Sequence, residues 1–194
     1  MFNDIELQRE FFEALAQIDE KIVDQAAAGR CPVCSGPLHR SDFARKPRGA
    51  RMAAAGEEFL TRFSLCCGRE GCRKRATPPS LRFLGRRVYL GAVVIMASVL
   101  AQALTTAKAL RQATGVPART CRRWLSWWRG AFLLTDVFVN LRARLLFVVV
   151  AELPASILSR LGDTAESKVR RLLHWLTPLT TGSGNGSRLL RDIA

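Results

Sequence analysis

The chain has 194 residues, of which 48% are hydrophobic and 24% are charged. This composition is typical of a globular protein of one or two domains, and it excludes a chain that is disordered throughout. The 30 Lys and Arg side chains outnumber the 16 Asp and Glu side chains, which gives a net charge of +14. Such a surplus favours a polyanionic partner, nucleic acid first and an anionic membrane second.

The charge is concentrated in the middle of the chain. Residues 1–29 carry 7 acidic and 2 basic side chains, whereas residues 30–129 carry 20 basic and 4 acidic ones. The N-terminus also lacks the basic start and apolar stretch of a signal peptide, so we expect a cytoplasmic protein. Any polyanionic partner should bind the central hundred residues.

Residues 1–29 predict an acidic amphipathic helix over residues 3–28. Its apolar positions recur at spacings of four, three and four residues: Phe11, Leu15, Ile18 and Ile22. Asn3 can cap its start, and Gly29 ends it. The acidic face could pack on the basic middle of the same chain, pair with a second copy, or bind a transposase or another protein partner.

Residues 30–80 hold five of the six cysteines, in a CxxC cluster and a CCxxxxC cluster. Short strands are predicted over residues 38–45 and 59–65, around a basic loop. Two thiolate pairs held by turns satisfy the tetrahedral coordination of Zn²⁺, so we predict a zinc ribbon. The predicted ligands are Cys31, Cys34, Cys67 and Cys72.

Two ligand alternatives stay open at this stage. Cys66 could replace Cys67, and His39 could compete for the metal, although we interpret it as a hairpin side chain. A redox role for the CxxC motif would require a βαβ context, which the sequence does not have. A basic run that follows the last ligand is predicted to contact phosphate, and it consists of Arg73, Lys74 and Arg75.

Residues 81–130 predict three helices with a tight turn before the last. The first is long and apolar, over about 86–104; the second is short, over about 106–113; and the third begins at Pro117. Their order and the length of the turn are typical of a helix-turn-helix.

Local residues support the boundaries of the two shorter helices. Thr105 or Thr106 can cap the second helix. Gly115 provides the permissive backbone that a tight turn needs, and Pro117 presets φ for the first turn of the third helix.

The third helix separates into two faces at helical spacing. The apolar face is predicted to pack in the core and consists of Cys121, Trp124, Leu125 and Trp128. The cationic face is predicted to bind duplex DNA and consists of Arg119, Arg122, Arg123, Ser126 and Arg129. Trp127 lies between the two faces, and Cys121 belongs to the core rather than to the metal site.

The order of these motifs resembles a known module. The chain resembles the N-terminal zinc ribbon and helix-turn-helix of insertion-sequence transposases, and the small accessory proteins of such elements. The resemblance lies in the motif order, which is CPVC, a strand, CxxxxC, a basic knuckle, a long helix and TGVPARTCRRW. The resemblance spans residues 31–129. It implies that the module binds the terminal inverted repeats through recognition residues at the positions of Arg119, Thr120, Arg122 and Arg123. Arg111 and Pro117 depart from the usual pattern of small and capping residues.

Residues 131–181 predict a helical C-terminal region, and residues 182–194 a flexible tail rich in Gly and Ser. The apolar segment 145–151 could form a strand, but its flanks favour a buried helix. Few acids follow residue 130, and no βαβ alternation surrounds them, so we expect no enzyme activity. The apolar C-terminal region should pack on the preceding helices or join two copies, because paired modules lengthen a DNA site.

The predicted fold is therefore mainly α with a small β zinc ribbon, and a helix-turn-helix core followed by a helical C-terminal region. The predicted function is binding of double-stranded DNA by an accessory or regulatory protein of a transposable element, associated with the nucleoid and forming a homo-oligomer. One alternative is a transcriptional regulator of a neighbouring operon. The other is a membrane-anchored zinc-ribbon protein that spans the bilayer at residues 88–107. Polar side chains in the second half of that run favour a buried helix over a membrane span.

Overall fold

A computed structural model describes residues 7–45, 56–84 and 90–181. Within these ranges the chain is mainly helical with small antiparallel sheets, which confirms the coarse prediction of the fold class. The α-helices of this part are α1 (Arg9–Ala28), α2 (Gly91–Ala103), α3 (Ala107–Thr114), α4 (Ala118–Arg129), α5 (Asp136–Arg144), α6 (Ala155–Leu158) and α7 (Ala165–Leu176).

Five short strands lie between α1 and α2 within the described ranges. They are β1 (Leu38–Arg40), β2 (Phe43–Ala44), β3 (Thr61–Arg62), β4 (Leu65–Cys67) and β5 (Arg75–Ala76). One antiparallel sheet has the order β1–β4–β5, and β2 pairs with β3 in a second, two-stranded sheet. Each of the two predicted strands is therefore broken into shorter pieces, and a 3₁₀ turn precedes β3 at Glu57–Leu60.

Helix α1 begins at Arg9, and the predicted cap Asn3 lies outside the described residues. Gly29 ends the helix as predicted. The apolar face differs in detail, because Ile18 and Ile22 are only half-buried. The buried positions are Phe11, Phe12, Leu15, Asp19 and Val23.

The acid on this buried face joins α1 to the segment that leads into α2. Asp19 and Arg82 are each 1% exposed, and the Arg82 Nε donates to Asp19 Oδ2 at 2.9 Å. The Ser80 hydroxyl and the Leu81 backbone N–H also donate to the carboxylate of Asp19. Buried charges are tolerated where they are paired and hydrogen-bonded, so this contact fixes how α1 packs.

A second contact holds α1 against the three-stranded sheet. The Arg40 guanidinium on β1 lies 3.0 Å from a Glu20 carboxylate oxygen and 3.1 Å from one of Asp24, and it also pairs with Asp42. Of the three roles that the sequence left open for the acidic helix, packing on the basic middle of its own chain is therefore observed.

Helix α2 is the centre of the core. Its residues from Gly91 to Leu100 are all buried, and the helix packs against α3, α4 and α7. A side-chain Cβ at Gly91 would lie 2.6 Å from Leu173 Cδ2, so glycine permits the close approach of α7. The helix begins later than predicted, after an extended Leu90 that bridges to Phe83; residues 86–89 lie outside the described ranges.

Helices α3 and α4 follow the predicted pattern closely. The Thr106 hydroxyl accepts from the Ala109 backbone N–H and caps α3. Gly115 has φ +66°, a left-handed conformation that favours glycine, and it ends α3. Helix α4 begins directly after Pro117. The two helices are thus joined by a three-residue turn.

The apolar face of α4 differs from the prediction at two residues, because Leu125 is only half-buried and Trp127 is buried. Cys121, Trp124 and Trp128 are fully buried, but Trp127, which was placed between the faces, is also buried at 5% exposure. Its ring packs 5.1 Å from that of Phe132, in a 3₁₀ turn that follows α4. The sequence analysis did not predict this 3₁₀ turn, and Trp127 is buried because it packs against the turn.

Segment 145–151 does not form the predicted buried helix. Its backbone enters the left-handed region at Phe147, φ +59°, and ends in a 3₁₀ turn at Val150–Glu152. A left-handed residue interrupts a helix, and the three adjacent valines favour extended backbone. The exposed apolar side chains of this part of the fold are Leu134, Val139, Leu146, Phe147, Val149 and Val150.

No helix within the described ranges is long and apolar enough to cross a membrane. The apolar run that suggested a span contributes the 13 residues of α2.

Replacing Asp19 with Ala should lower the free energy of unfolding by about 3–5 kcal/mol, because Arg82 would keep a buried charge without its carboxylate. Urea denaturation of both proteins measures this loss. Glu13→Ala is the control, since it removes the exposed ion pair with Arg9 and should change stability far less. Equal losses in the two variants would contradict the role assigned to Asp19.

Candidate metal centre and basic surface

Four thiol groups converge at one end of the three-stranded sheet. The sulfur atoms of this thiol cluster all lie within 4.8 Å of one another, and they belong to Cys31, Cys34, Cys67 and Cys72. The Sγ atoms of Cys31 and Cys72 are 3.8 Å apart, and those of Cys34 and Cys67 are 3.5 Å apart. Four sulfurs at ~2.3 Å from one tetrahedral metal ion would be separated by about 3.8 Å, so the cluster has the dimensions of such a site.

The first pair of thiols is positioned by a tight turn. The Ser35 backbone N–H donates to the Cys31 carbonyl at 2.8 Å, and the Cys31 N–H donates to the Gly36 carbonyl at 2.9 Å. A Cβ at Gly36 would lie 3.0 Å from Cys67 Sγ and 3.3 Å from Cys34 Sγ. A larger residue here would crowd the two halves of the site, and glycine lets them approach without displacement.

The second pair is positioned by the end of β4 and the turn that follows. The Arg69 backbone N–H donates to Cys67 Sγ at 3.4 Å, and the Cys72 N–H donates to the Arg69 carbonyl at 3.2 Å. Gly71 has φ +80°, which glycine adopts without strain. The Gly68 N–H donates to the Pro37 carbonyl and joins the two turns.

The register of the sheet decides between the two adjacent cysteines. Leu38 on β1 pairs with Cys67 on β4, and His39 pairs with Cys66. Successive side chains of a strand point to opposite faces, so Cys66 points away from the thiol cluster. Its sulfur contacts the Arg73 carbonyl at 3.5 Å instead. His39, the competing ligand, is also outside the cluster.

The thiols differ in how readily they lose a proton. The Val33 backbone N–H stabilises the Cys31 thiolate and lowers the pKa of Cys31 to about 7, despite burial. The Arg69 N–H has a similar effect on Cys67, but burial and the neighbouring thiols outweigh it and raise the pKa of Cys67 to about 12. Thiols packed this closely cannot all ionise without a cation, and a metal ion would replace their protons.

The cationic face of α4 is exposed along the length of the helix. Its side chains lie opposite the buried Trp124 and Trp128 and consist of Arg119, Arg122, Arg123, Ser126 and Arg129, while Thr120 is half-buried. In the described part of the chain, none of these four arginines forms an ion pair. The helix therefore presents four uncompensated positive charges on one side.

The basic run after the last thiol does not act as a single surface. Arg73 and Lys74 are exposed. The Arg75 guanidinium turns back to the sheet, where it donates to the Ser41 carbonyl at 2.8 Å and the Ser64 hydroxyl at 2.6 Å. Sequence alone could not separate these three residues, because the direction of Arg75 depends on its position in β5.

Cys121 lies apart from the thiol cluster, as predicted. It is fully buried on α4, and burial raises the pKa of its thiol. This thiol is a small apolar core side chain.

Comparisons of the chain with protein-family models, with curated proteins and with solved structures give no match. The resemblance to the transposase module therefore depends on the motifs of the sequence alone.

Replacing Cys34 with Ser should abolish stoichiometric Zn²⁺ binding at neutral pH, because three thiolates would remain of the four that close the site. Cys66→Ser is the matched control, since its sulfur lies outside the cluster, and it should retain one Zn²⁺ per chain. Elemental analysis after dialysis against a weak chelator measures both. Metal loss in Cys66→Ser together with retention in Cys34→Ser would refute the ligand set.

Proposed function

We propose that the chain binds double-stranded DNA as an accessory or regulatory protein of a transposable element. Helix α4 acts as the recognition helix of a helix-turn-helix, and the sheet with its thiol cluster acts as a zinc ribbon. The observation that carries the proposal is the cationic face of α4, which has four exposed arginines and no ion-paired acid among the described residues.

The packing of α4 supports this role. The buried side of the helix is anchored through the Trp128 indole N–H, which donates to the Ser98 hydroxyl of α2 at 3.1 Å. A helix fixed on one side can present the other to the major groove without a change in shape. Arg side chains on such a face reach phosphate oxygens and the O6 and N7 atoms of guanine.

The turn between α3 and α4 supports the helix-turn-helix interpretation. It has three residues, Gly115, Val116 and Pro117, within the usual length for this motif. The Thr114 hydroxyl accepts from the Val116 N–H at 3.1 Å and donates to the Leu110 carbonyl at 2.8 Å, so the turn is rigid. Helix α2 packs against both helices, as the supporting helix of such a unit does.

We assign Zn²⁺ to the thiol cluster because soft thiolate ligands in a tetrahedral set favour this ion. Four sulfur ligands would leave no open coordination position for a substrate or a water molecule. The metal would thus stabilise the sheet, and the proposed role of the protein is binding without catalysis.

A transcriptional regulator of a neighbouring operon is the second candidate, since it would use the same residues on different DNA. Transposition is placed first because the motif order resembles the transposase module, whereas the residues themselves would serve either role. Both roles would place the protein on the nucleoid.

We propose that two copies act together on DNA. One recognition helix contacts only a few base pairs, and paired modules double the site. The exposed apolar side chains near Phe147, which is 79% exposed, provide a surface of the kind that joins subunits. The acidic residues of α1 that do not contact Arg40, such as the exposed Glu10, are proposed to bind a transposase or another protein partner.

Arg122→Ala and Arg123→Ala should each weaken specific DNA binding by ~1–3 kcal/mol, because each removes a contact to phosphate or a base edge. The probe is a fluorescent duplex selected from a randomised pool by the Zn²⁺-loaded wild-type chain, and anisotropy measures its affinity. The titration endpoint also gives the number of chains per duplex, which we expect to be two.

Arg142→Ala is the matched control, since it removes an exposed arginine from α5 and should leave the affinity unchanged. Wild-type affinity in the Arg122→Ala/Arg123→Ala double variant would exclude α4 as the DNA-binding surface. One chain per duplex would exclude the paired arrangement.

A further inference from the structure

A cleft of about 900 Å³ lies where the end of α1, the two small sheets and the end of the C-terminal region meet. Leu65 and Ala76 of the three-stranded sheet line it, together with Thr180 and Thr181 of the C-terminal region. A cleft of this volume is in the range of small-molecule sites and is too small to admit a DNA duplex.

Four arginines line this cleft, and no Asp or Glu does among the residues that the structure describes. They come from separate parts of the fold: Arg30 after α1, Arg45 after β2, Arg62 in β3 and Arg75 in β5. None belongs to α4. The cleft is thus a second positive surface, independent of the cationic face described above.

Arg62 is the most unusual of the four. It is 3% exposed, and its guanidinium donates to the Pro78 and Phe63 carbonyls. It forms no ion pair in the described ranges, although the charge of Asp19, which is paired with Arg82, acts on it from a greater distance. Burial lowers the pKa of Arg62 to about 10, and burial also lowers the pKa of Arg45. Because the pKa is lowered in spite of Asp19, the buried positive charge is only partly compensated, and an anion in the cleft would stabilise it further.

The cleft also has an aromatic side. The Arg45 and Arg75 guanidinium groups lie over the Phe43 ring, with their central carbons 4.6 Å and 5.0 Å from the ring centre. Planar guanidinium groups fixed in this way can stack on a nucleobase. The N–H groups of Arg75 already donate to Ser41 and Ser64, so the phosphate would accept from Arg45. Phosphate and a flat heterocycle together are the chemistry of a nucleotide.

We infer that this cleft binds a nucleotide through its 5′-phosphate, either as a free nucleotide or as the terminal nucleotide of a nucleic-acid strand. Arg45 and Arg75 provide the stacking surface, and Arg62 provides a fixed positive charge at the back of the cleft. The site goes beyond the proposed recognition of duplex DNA, because it would bind an end or a single nucleotide and uses different residues.

The test uses the full-length Zn²⁺-loaded protein and isothermal titration with deoxyadenosine 5′-monophosphate. Deoxyadenosine, which lacks the phosphate, should bind at least about tenfold more weakly, the effect of losing one charge-assisted contact. Arg45→Gln should weaken binding of the monophosphate by a similar factor. Arg160→Gln is the matched control, since it removes an exposed arginine that does not line the cleft.

Two single strands of ten nucleotides distinguish the sources of the phosphate. Tighter binding of the 5′-phosphorylated strand than of the monophosphate, with weak binding of the 5′-hydroxyl strand, supports a strand end as the ligand. Equal binding of the phosphorylated strand and the monophosphate, or preference for the monophosphate, supports a free nucleotide.

Failure of this inference is separable from failure of the α4 proposal. The Arg122→Ala/Arg123→Ala variant should keep its affinity for the monophosphate, whatever it does to duplex binding. The inference is overturned by absence of monophosphate binding, by equal binding of deoxyadenosine, or by an Arg45→Gln variant that binds like the wild type.

Discussion

The convergence of four sulfur atoms is the constraint on which the small sheet depends. Its strands have two or three residues each, and sheets this short bury too little apolar surface to be stable alone. The thiol cluster joins the turn after α1 to the end of β4 and to the turn before β5. A metal ion at this point would supply much of the free energy that orders the sheet.

Ionic contacts connect this sheet to α1, and α1 to the segment ahead of α2. Arg40 connects β1 to the acidic side of α1, and Asp19 on the opposite side of α1 binds Arg82 ahead of α2. Helix α2 in turn supports α4, where the indole of Trp128 is hydrogen-bonded to Ser98. The thiol cluster and the cationic helix are therefore parts of one packed body, although they are separate in sequence.

The arginines of this protein occupy two different environments, one exposed to solvent and one buried. The arginines of α4 are exposed, as in a surface that binds a long polyanion by many solvated contacts. Arg62 is buried in a cleft, where a fixed charge favours one small anion. The net charge of +14 alone could not distinguish these environments, because it contains no information on burial.

Much of the fold follows from local sequence rules. The Thr106 cap, the Gly115 turn and the burial of Cys121, Trp124 and Trp128 depend on residues close together in the chain, so spacing is sufficient to predict them. The burial of Trp127 depends on the following turn and is not predicted by spacing. The assignment of Cys67 over Cys66 depends on strand register, which only the pairing of β1 with β4 defines.

Other features depend on tertiary packing, which local rules do not include. From the sequence alone, Asp19 is expected at the surface, because its buried partner Arg82 is distant in the chain. Its spacing of four residues from Leu15 and from Val23 was nevertheless a signal that it shares the buried face. Segment 145–151 was predicted to be buried on its apolar composition, and the left-handed backbone at Phe147 turns it outward.

Duplex DNA binding by the Zn²⁺-loaded wild-type chain, measured by fluorescence anisotropy from low to high salt, tests the central claim most directly. If the arginines of α4 contact phosphates, the logarithm of the binding constant should fall linearly with the logarithm of salt concentration, with a slope of about −3 or steeper. Absence of binding at low salt would contradict the account.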